Sequence, residues 1–230
     1  MRSSASRRLE IVVRPTRPEE SASFFAFYKA KHDPSVLPRR ETDLRDAAAK
    51  GLFFIAHAQR RPVALAGVFD LGDIPYAELG GTLIDEPHRG FGLQRLLFRL
   101  RIAAVVVNQG PDVQMISAID RLNKVSADSA LKSGFSAWTD PVPSVFEPCT
   151  TCHKRAAAVS ANRRCCCDFY LLPSPKARTA VQGLLADTGP SDSLECRNKA
   201  GDVLAVRIES NLLASPRAAV LADFALGKNW

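Results

Sequence analysis

One segment, residues 83–97 (LIDEPHRGFGLQRLL), constrains the fold of this chain more than any other. An aliphatic strand end passes through two glycines one residue apart, Gly90 and Gly92, and runs directly into a leucine-rich helix. Glycine tolerates positive φ and lets the backbone come close to a ligand. The first amides of a helix lack intrahelical partners and carry the positive end of the helix dipole. The segment therefore predicts a strand–loop–helix unit that binds a pyrophosphate.

The residues around these glycines exclude two common phosphate-binding loops. A dinucleotide-binding fingerprint requires a third glycine at position 95, where this chain has Arg95. A Walker loop ends in Gly-Lys-Ser or Gly-Lys-Thr, and neither follows the glycines here.

The hydrophobic pattern around this segment predicts a mixed α/β fold. Three strand-like runs precede a strand–helix–strand–helix unit, an order typical of a mixed sheet with helices on its faces. The first helix has an aromatic side that we expect in the core: Phe24, Phe25, Phe27 and Tyr28. Strands are predicted at 9–14, 52–58, 63–69, 76–84, 113–119 and 165–172. Helices are predicted from residue 18, and at 42–50, 92–107, 123–133, 176–186 and 216–226, with a hairpin at 198–202.

The composition is that of a globular protein. Of 230 residues, 46% are hydrophobic and 24% charged, which excludes disorder as the state of the whole chain. The longest apolar runs, such as 102–107, are too short to cross a bilayer, so we expect no membrane partner. The N-terminal residues lack the apolar stretch of a secretory signal, and five of the six cysteines crowd into 149–167. Both features lead us to expect a cytoplasmic protein.

The formal net charge of +7 suits a polyanionic partner. The tightest basic groups are mere arginine pairs, such as Arg7-Arg8 and Arg163-Arg164. Binding of nucleic acid usually needs a larger basic patch interleaved with aromatic residues. The distribution of charge therefore argues against nucleic acid as a partner.

The strand–loop–helix segment resembles the coenzyme A loop of the GCN5-related N-acetyltransferases (GNAT). That family's pattern runs from an aliphatic strand end through a short polar turn to Arg-Gly-x-Gly and a leucine-rich helix. The residues in register with it are Ile84, Arg89, Gly90, Gly92, Leu96 and Leu97. The family also has an asparagine eleven residues before a Gly-Phe pair, and this chain has Asn123 before Gly134-Phe135.

The resemblance implies a GNAT-like α/β fold with a mostly antiparallel central sheet flanked by helices. We expect this domain at 9–173, with a cysteine-rich insertion at 148–167, followed by a C-terminal helix–hairpin–helix extension at 174–230. The implied activity is direct transfer of an acetyl or other acyl group from acyl-CoA to an amine. Acyl-CoA is then the donor substrate, the acceptor amine is not identified, and a homo-oligomer is compatible with the sequence.

The residues implied for catalysis and cofactor binding lie near the loop. Glu78 is the candidate general base; by strand alternation it shares a face with Tyr76, Thr82 and Ile84. A structural glutamate is the alternative. The resemblance implies that a backbone amide near Leu83 or Ile84 polarises the thioester carbonyl. The expected cofactor contacts are Leu83, Ile84, Arg89, Gly90, Phe91, Gly92, Leu93, Gln94 and Asn123.

Two residues near the loop have a second interpretation without a role in binding. Arg89 is either a phosphate ligand or a solvated arginine, and Phe91 is either a loop contact or an exposed aromatic residue. His88 is expected to be a polar loop residue without a catalytic role.

The chain departs from the family pattern at three positions. Pro87 replaces the usual Gln or Arg, and Gln94 replaces a small residue; neither change blocks backbone amides from binding phosphate. Ala130 stands where many members have the tyrosine that protonates the leaving thiolate. Solvent or Ser129 would then supply that proton. The departure at 130 also leaves open a catalytically silent CoA-binding sensor.

The cysteine cluster predicts either a structural zinc site or buried thiols. Cys149 and Cys152 are three positions apart, and Cys165 and Cys167 share one face of a strand, so the four could surround a tetrahedral zinc ion. His153 is a substitute ligand. Four thiolates leave no open position for catalysis. The alternative is that the cysteines pack as small apolar residues. A zinc-stabilised interaction module is thus the third functional hypothesis.

Overall fold

The computed structural model describes residues 6–31, 36, 38–70, 76–139, 166–210, 212, 220, 221 and 223. Its centre is a nine-stranded sheet in the order β6-β7-β5-β4-β3-β2-β1-β9-β8. The strands are β1 Arg8–Pro15, β2 Phe53–Ala58, β3 Arg61–Asp70, β4 Tyr76–Ile84, β5 Gln114–Asp120, β6 Ser136–Ala137, β7 Cys167–Leu172, β8 Ser193–Arg197 and β9 Val203–Ile208. Two neighbouring pairs, β1 with β9 and β4 with β5, are parallel and the others are antiparallel.

Helices cover both faces of the sheet. They are α1 Ser21–Ala30, α2 Glu41–Ala49, α3 Leu93–Gln109, α4 Lys124–Lys132 and α5 Ser174–Thr188. The main core packs α3 and α5 against one face, and a smaller core packs α1 and α2 against the other. Among the described residues, no helix is both long and apolar enough to cross a membrane.

The structure confirms the expected fold class, with a mostly antiparallel central sheet. The predicted strands and helices between residues 9 and 133 are present, and their ends agree with the prediction to within three residues. The two-residue strand β6 was not predicted. The C-terminal extension contributes α5 to the main core and adds β8 and β9 to the same sheet, next to β1. The predicted helix at 216–226 lies almost entirely outside the described residues.

A β-bulge in β4 changes which residues share a face. In the ladder between β3 and β4, Gly67 pairs with Gly80 and Ala64 pairs with Ile84. Between these two pairs β4 has three residues and β3 has two, and the first of the three, Gly81, has a φ of 61°. Before the bulge Glu78 faces the smaller core, whereas Ile84 after it packs against the main core. The prediction that Glu78 and Ile84 share a face is therefore wrong, because an extra residue inverts the alternation.

Strands β4 and β5 separate soon after they start. Their parallel pairing covers Tyr76 to Glu78, while β4 continues to Ile84 and β5 continues to Asp120, paired only with β7 on its other edge. The hydroxyl of Ser117, on β5, donates to the carbonyl of Leu79 across the start of the gap at 2.8 Å. The sheet thus opens between two diverging strands, and the loop after β4 lies at the wide end.

One ion pair in this fold predicts a pH effect on stability. Glu20 accepts two hydrogen bonds at 2.8 Å, one from the Arg14 guanidinium and one from the Arg17 backbone amide. The hydrogen bond from Arg14 is the main cause that lowers the pKa of Glu20 from 4.5 to about 2, and burial acts in the opposite direction. Because the folded-state pKa lies below the unfolded one, the pair stabilises the protein above about pH 4.5 and loses that contribution as pH falls towards about 2. We expect Glu20→Gln to remove about 1–2 kcal/mol of that pH dependence, a value already reduced for solvent screening. Urea unfolding at a series of pH values measures it, and an unchanged acid slope in the variant would contradict it.

Candidate cofactor-binding site

The glycine loop has the backbone geometry that its sequence predicts. Gly90 has a φ of 84°, and Gly92, the residue preceding α3, has a φ of 81°. A Cβ at either position would meet no heavy atom of the described residues within 4 Å. The glycines are therefore required by backbone conformation, and the space above them is open to a ligand.

The charges around the loop favour an anion. The first turn of α3 contains Arg95 and no acidic residue. Arg89 is exposed and donates from Nε to the carbonyl of Ile84 at 2.9 Å, which ties the loop to the end of β4. Asp85 is paired with Lys31 at 2.7 Å. The N-terminus of α3 and two exposed arginines, Arg89 and Arg95, thus favour an anion near the loop.

Two residues of the loop that are predicted to contact the cofactor have buried side chains. Phe91 and Leu93 are 5% and 1% exposed and belong to the main core, so the alternative of an exposed Phe91 is wrong. Only their backbone amides can reach a ligand above the loop. The side chain of His88, expected to be a polar loop residue, is also buried, and its Nδ1 has no hydrogen-bond partner among the described residues. Burial is the main cause that lowers the pKa of His88.

Gln94 connects the loop helix to α4. Its Nε2 donates to the hydroxyl of Ser126 at 2.8 Å, and the hydroxyl of Ser129 lies 3.5 Å from its Oε1. Asn123 precedes α4 as its N-cap, and its side-chain oxygen accepts from the Ser126 amide at 3.0 Å. The start of α4 is thereby fixed beside the first turn of α3.

The spacing from Asn123 to Gly134 has a local explanation. Asn123 caps the start of α4, and Gly134, with a φ of 101°, follows its end. Phe135 then packs on Phe98 of α3 with the ring centroids 5.5 Å apart. The motif therefore encodes a capped helix docked on α3, and direct contact of Asn123 with a cofactor stays a prediction.

The candidate base Glu78 lies in the centre of the sheet and is 5% exposed. Its Oε1 accepts a hydrogen bond from Arg39 Nη2 at 2.7 Å. The Arg39 guanidinium stacks on the ring of Phe69, 4.1 Å from the centroid. A Cβ at Gly80 would lie 3.2 Å from the Glu78 carboxylate and 3.3 Å from Arg39, so glycine leaves room for this pair above the strand.

Comparisons with known proteins find similar folds among solved structures, but they find no relative by sequence. No family model matches the chain, and no curated protein matches its sequence. Among solved structures, an acetyltransferase of the GNAT family from Staphylococcus aureus aligns with a TM-score of 0.51 and 12% identity. That alignment covers 70% of this chain and 98% of the other. The chain has the GNAT fold.

Two further structures align at lower similarity. N-acetylglutamate synthase from Neisseria gonorrhoeae, solved with coenzyme A and N-acetyl-glutamate, has 13% identity and a TM-score of 0.47 over 70% of this chain. The alignment spans only 34% of that longer protein. The PaiA N-acetyltransferase from Thermoplasma acidophilum, in complex with coenzyme A, has 10% identity and a TM-score of 0.47 over 70% of this chain and 98% of its own.

The position of Ala130 in this GNAT fold is internal. Ala130 is fully buried in the main core, the core to which Phe91 and Leu93 of the loop also belong. Ser129, the alternative proton donor, lies on the side of α4 that faces Gln94. The hydroxyl of Ser129 also donates to the Val125 carbonyl at 2.9 Å.

The cysteine cluster is described only in part. Cys167 is buried in β7, and its Sγ lies 3.9 Å from that of Cys166. Three of the four predicted zinc ligands, Cys149, Cys152 and Cys165, lie outside the described residues. No group of three metal-ligating side chains occurs in the part of the chain that is described. The zinc site therefore stays a prediction, which metal analysis of the purified protein would test.

A cavity beside the Arg39–Glu78 pair was not predicted. It has a volume of about 370 Å³ and lies between α2 and the end of β3. Its lining residues are Arg39, Arg40, Asp43, Asp46, Ala47, Lys50, Val68 and Phe69. It is on the same face of the sheet as Glu78 and thus opposite α3.

Proposed function

We propose that this protein is an acyltransferase that moves an acetyl or other acyl group from acyl-CoA to an amine by direct transfer. The observation that carries the proposal is the open Arg-Gly-x-Gly loop at the N-terminus of α3, at the wide end of the gap between β4 and β5. A loop of this kind binds a pyrophosphate, and coenzyme A joins a pyrophosphate to a long arm.

The gap between the strands suits the arm of coenzyme A. Beyond Glu78 the backbone of β4 is no longer paired with β5. An extended ligand with amide groups binds such an edge in the way an added strand does. The pantetheine arm has two amides, so we place it along β4 with its thioester near the bulge and its pyrophosphate at the loop.

Glu78 is the group that we assign to proton removal from the acceptor. It accepts a proton from the ammonium, directly or through a water molecule, and the free amine attacks the thioester carbon. A backbone amide near Leu83 or Ile84 stabilises the developing oxyanion. The carbon–sulfur bond then breaks, the nitrogen of the new amide loses its second proton to solvent, and the departing thiolate takes a proton from solvent or from Ser129, which regains one from solvent. The cavity beside Arg39 is the candidate site for the acceptor.

A catalytically silent CoA sensor is the second candidate. The observation that favours it is the engagement of Glu78 Oε1 by Arg39, which is typical of a structural ion pair. The two candidates differ in turnover and agree on the cofactor.

Cofactor binding is tested by thermal unfolding with acetyl-CoA, free CoA and NAD. Both CoA forms should stabilise the wild type, by about 2.7 kcal/mol at 100 times the dissociation constant, and NAD should not. Gly92→Glu introduces a side chain and a negative charge into the phosphate seat, so we expect it to abolish the shift. The absence of a shift with millimolar acetyl-CoA in the folded wild type would overturn the proposal.

A matched control for this variant is Gly201→Glu. Gly201 has a φ of 85°, and none of the described atoms lies within 4 Å of its Cβ position, but it lies in the turn between β8 and β9. Both variants therefore acquire the same strain and charge, and only Gly92→Glu should lose cofactor binding. Release of CoA from acetyl-CoA with a panel of amino acids, polyamines and peptides then separates an enzyme from a sensor.

A further inference from the structure

Arg101 is a fully buried arginine in the middle of α3. It is 0% exposed and projects from the helix into the main core, towards the bulge of β4. Its Nη1 donates to two carbonyls, those of Gly67 on β3 and Gly80 on β4, each at 3.1 Å. Its Nε donates to the Leu97 carbonyl one turn earlier at 3.0 Å.

A charge in this position is costly to bury. Arg101 has no carboxylate partner among the described residues, and its Nη2 lacks a hydrogen-bond partner there. Burial lowers the pKa of Arg101 to about 9, so the guanidinium still carries its charge at neutral pH. An apolar residue of similar length would avoid the desolvation cost. The arginine must therefore be explained by what it contacts.

The contacts of Arg101 lie where the ladder between β3 and β4 is interrupted. Gly67 and Gly80 are the last regular pair before the bulge, where β4 carries its extra residue. A bulge leaves backbone groups without their usual partners. The guanidinium supplies one donor to a carbonyl from each strand, and thereby holds the two strands together at the bulge.

The same bulge lies at the start of the gap between β4 and β5. Leu79, adjacent to Gly80, accepts the hydroxyl of Ser117 from β5. The backbone of β4 is thus held by Arg101 from α3 and by Ser117 from β5, just before its edge becomes open. These hydrogen bonds fix the position of the β4 backbone groups that face the gap.

We propose that Arg101 is a positioning residue, which fixes the bulge of β4 so that its open edge binds the arm of coenzyme A. The inference rests on the proposed function and adds a residue that does not touch the cofactor. Because Arg101 contacts the strand and not the glycine loop, it acts on the arm of the ligand and leaves the pyrophosphate seat intact.

The test compares two ligands on three variants by calorimetric titration. Coenzyme A has both the pyrophosphate and the arm, whereas adenosine 3′-phosphate 5′-diphosphate lacks the arm. For Arg101→Met we expect the Kd of coenzyme A to rise about tenfold, as when one or two hydrogen bonds to a ligand are misplaced, while the Kd of the shorter ligand stays unchanged. Arg101→Lys keeps the charge and one donor, so it should restore part of the affinity for coenzyme A.

Arg99→Met is the control on the same helix. Arg99 pairs with Asp187 of α5 and does not contact β4, so its loss should leave the affinity for both ligands unchanged. If Arg101→Met does not fold, Ser117→Ala releases the same stretch of β4 from the other side and should also weaken coenzyme A alone. An unchanged affinity for coenzyme A in the folded variants, or an equal loss for both ligands, would overturn the role of Arg101. Failure of the wild type to bind either ligand would instead overturn the proposed function.

Discussion

Replacing Glu78 by glutamine is expected to lower kcat of acyl transfer by about 10²–10⁴-fold, the usual contribution of a general base. The amide is nearly isosteric with the carboxylate, so it preserves the packing above Gly80 and can still accept from Arg39. It cannot accept a proton from the acceptor. The Kd of coenzyme A should remain that of the wild type, because the glycine loop is untouched. The measurement is steady-state CoA release with an amine that the wild type acylates.

The control for this variant is Glu20→Gln, which removes the carboxylate of another Arg–Glu pair. It should leave kcat unchanged. If Glu78→Gln retains wild-type kcat and loses only stability, Glu78 is a structural partner of Arg39 and the proton acceptor lies elsewhere. A wild type that binds coenzyme A and acylates no amine of the panel would favour the sensor.

The phosphate loop could be predicted from sequence because its chemistry is local. Gly90, Gly92 and the amides that follow them are neighbours in the chain, so a short window contains both the positive-φ positions and the helix start. Helix α4 could be predicted in the same way, because its start signal, Asn123, and its stop signal, Gly134, both lie in one short stretch of the sequence.

The surroundings of Glu78 depend on contacts that no local pattern contains. Arg39 precedes α2 and reaches Glu78 across the smaller core. Strand alternation failed after Gly80 because Gly81 starts a bulge, and the paired glycines were the only sign of it in the sequence.

Arg101 could have been found from the helical period. It lies four residues after Leu97 and three after Phe98, so it continues the buried stripe of α3. A charged residue on such a stripe indicates a buried polar contact. What that contact is, a pair of carbonyls at a bulge, follows only from the arrangement of β3 and β4 around the helix.

Replacing Arg39 by methionine is expected to destabilise the protein by about 3–5 kcal/mol, because it leaves the carboxylate of Glu78 buried without its countercharge. The side chains of this pair are only 15% and 7% exposed. Burial opposes the charge of Arg39, but the charge and hydrogen bond of Glu78 outweigh burial and raise the Arg39 pKa. Urea unfolding at neutral pH measures the loss as a lower transition midpoint at an unchanged slope.

The double variant Arg39→Met with Glu78→Gln separates the effect of the lost ion pair on stability from the effect of packing a methionine in place of Arg39. When both charges are removed, neither partner is left as an isolated buried ion, so the double variant should be more stable than the sum of the single losses predicts. The more exposed pair of Arg14 and Glu20, with side chains 27% and 32% exposed, is the matched comparison, and Arg14→Met should cost only about 1 kcal/mol. Additive losses in the double variant would show that Arg39 acts through its stacking on Phe69, and that Glu78 tolerates burial without it.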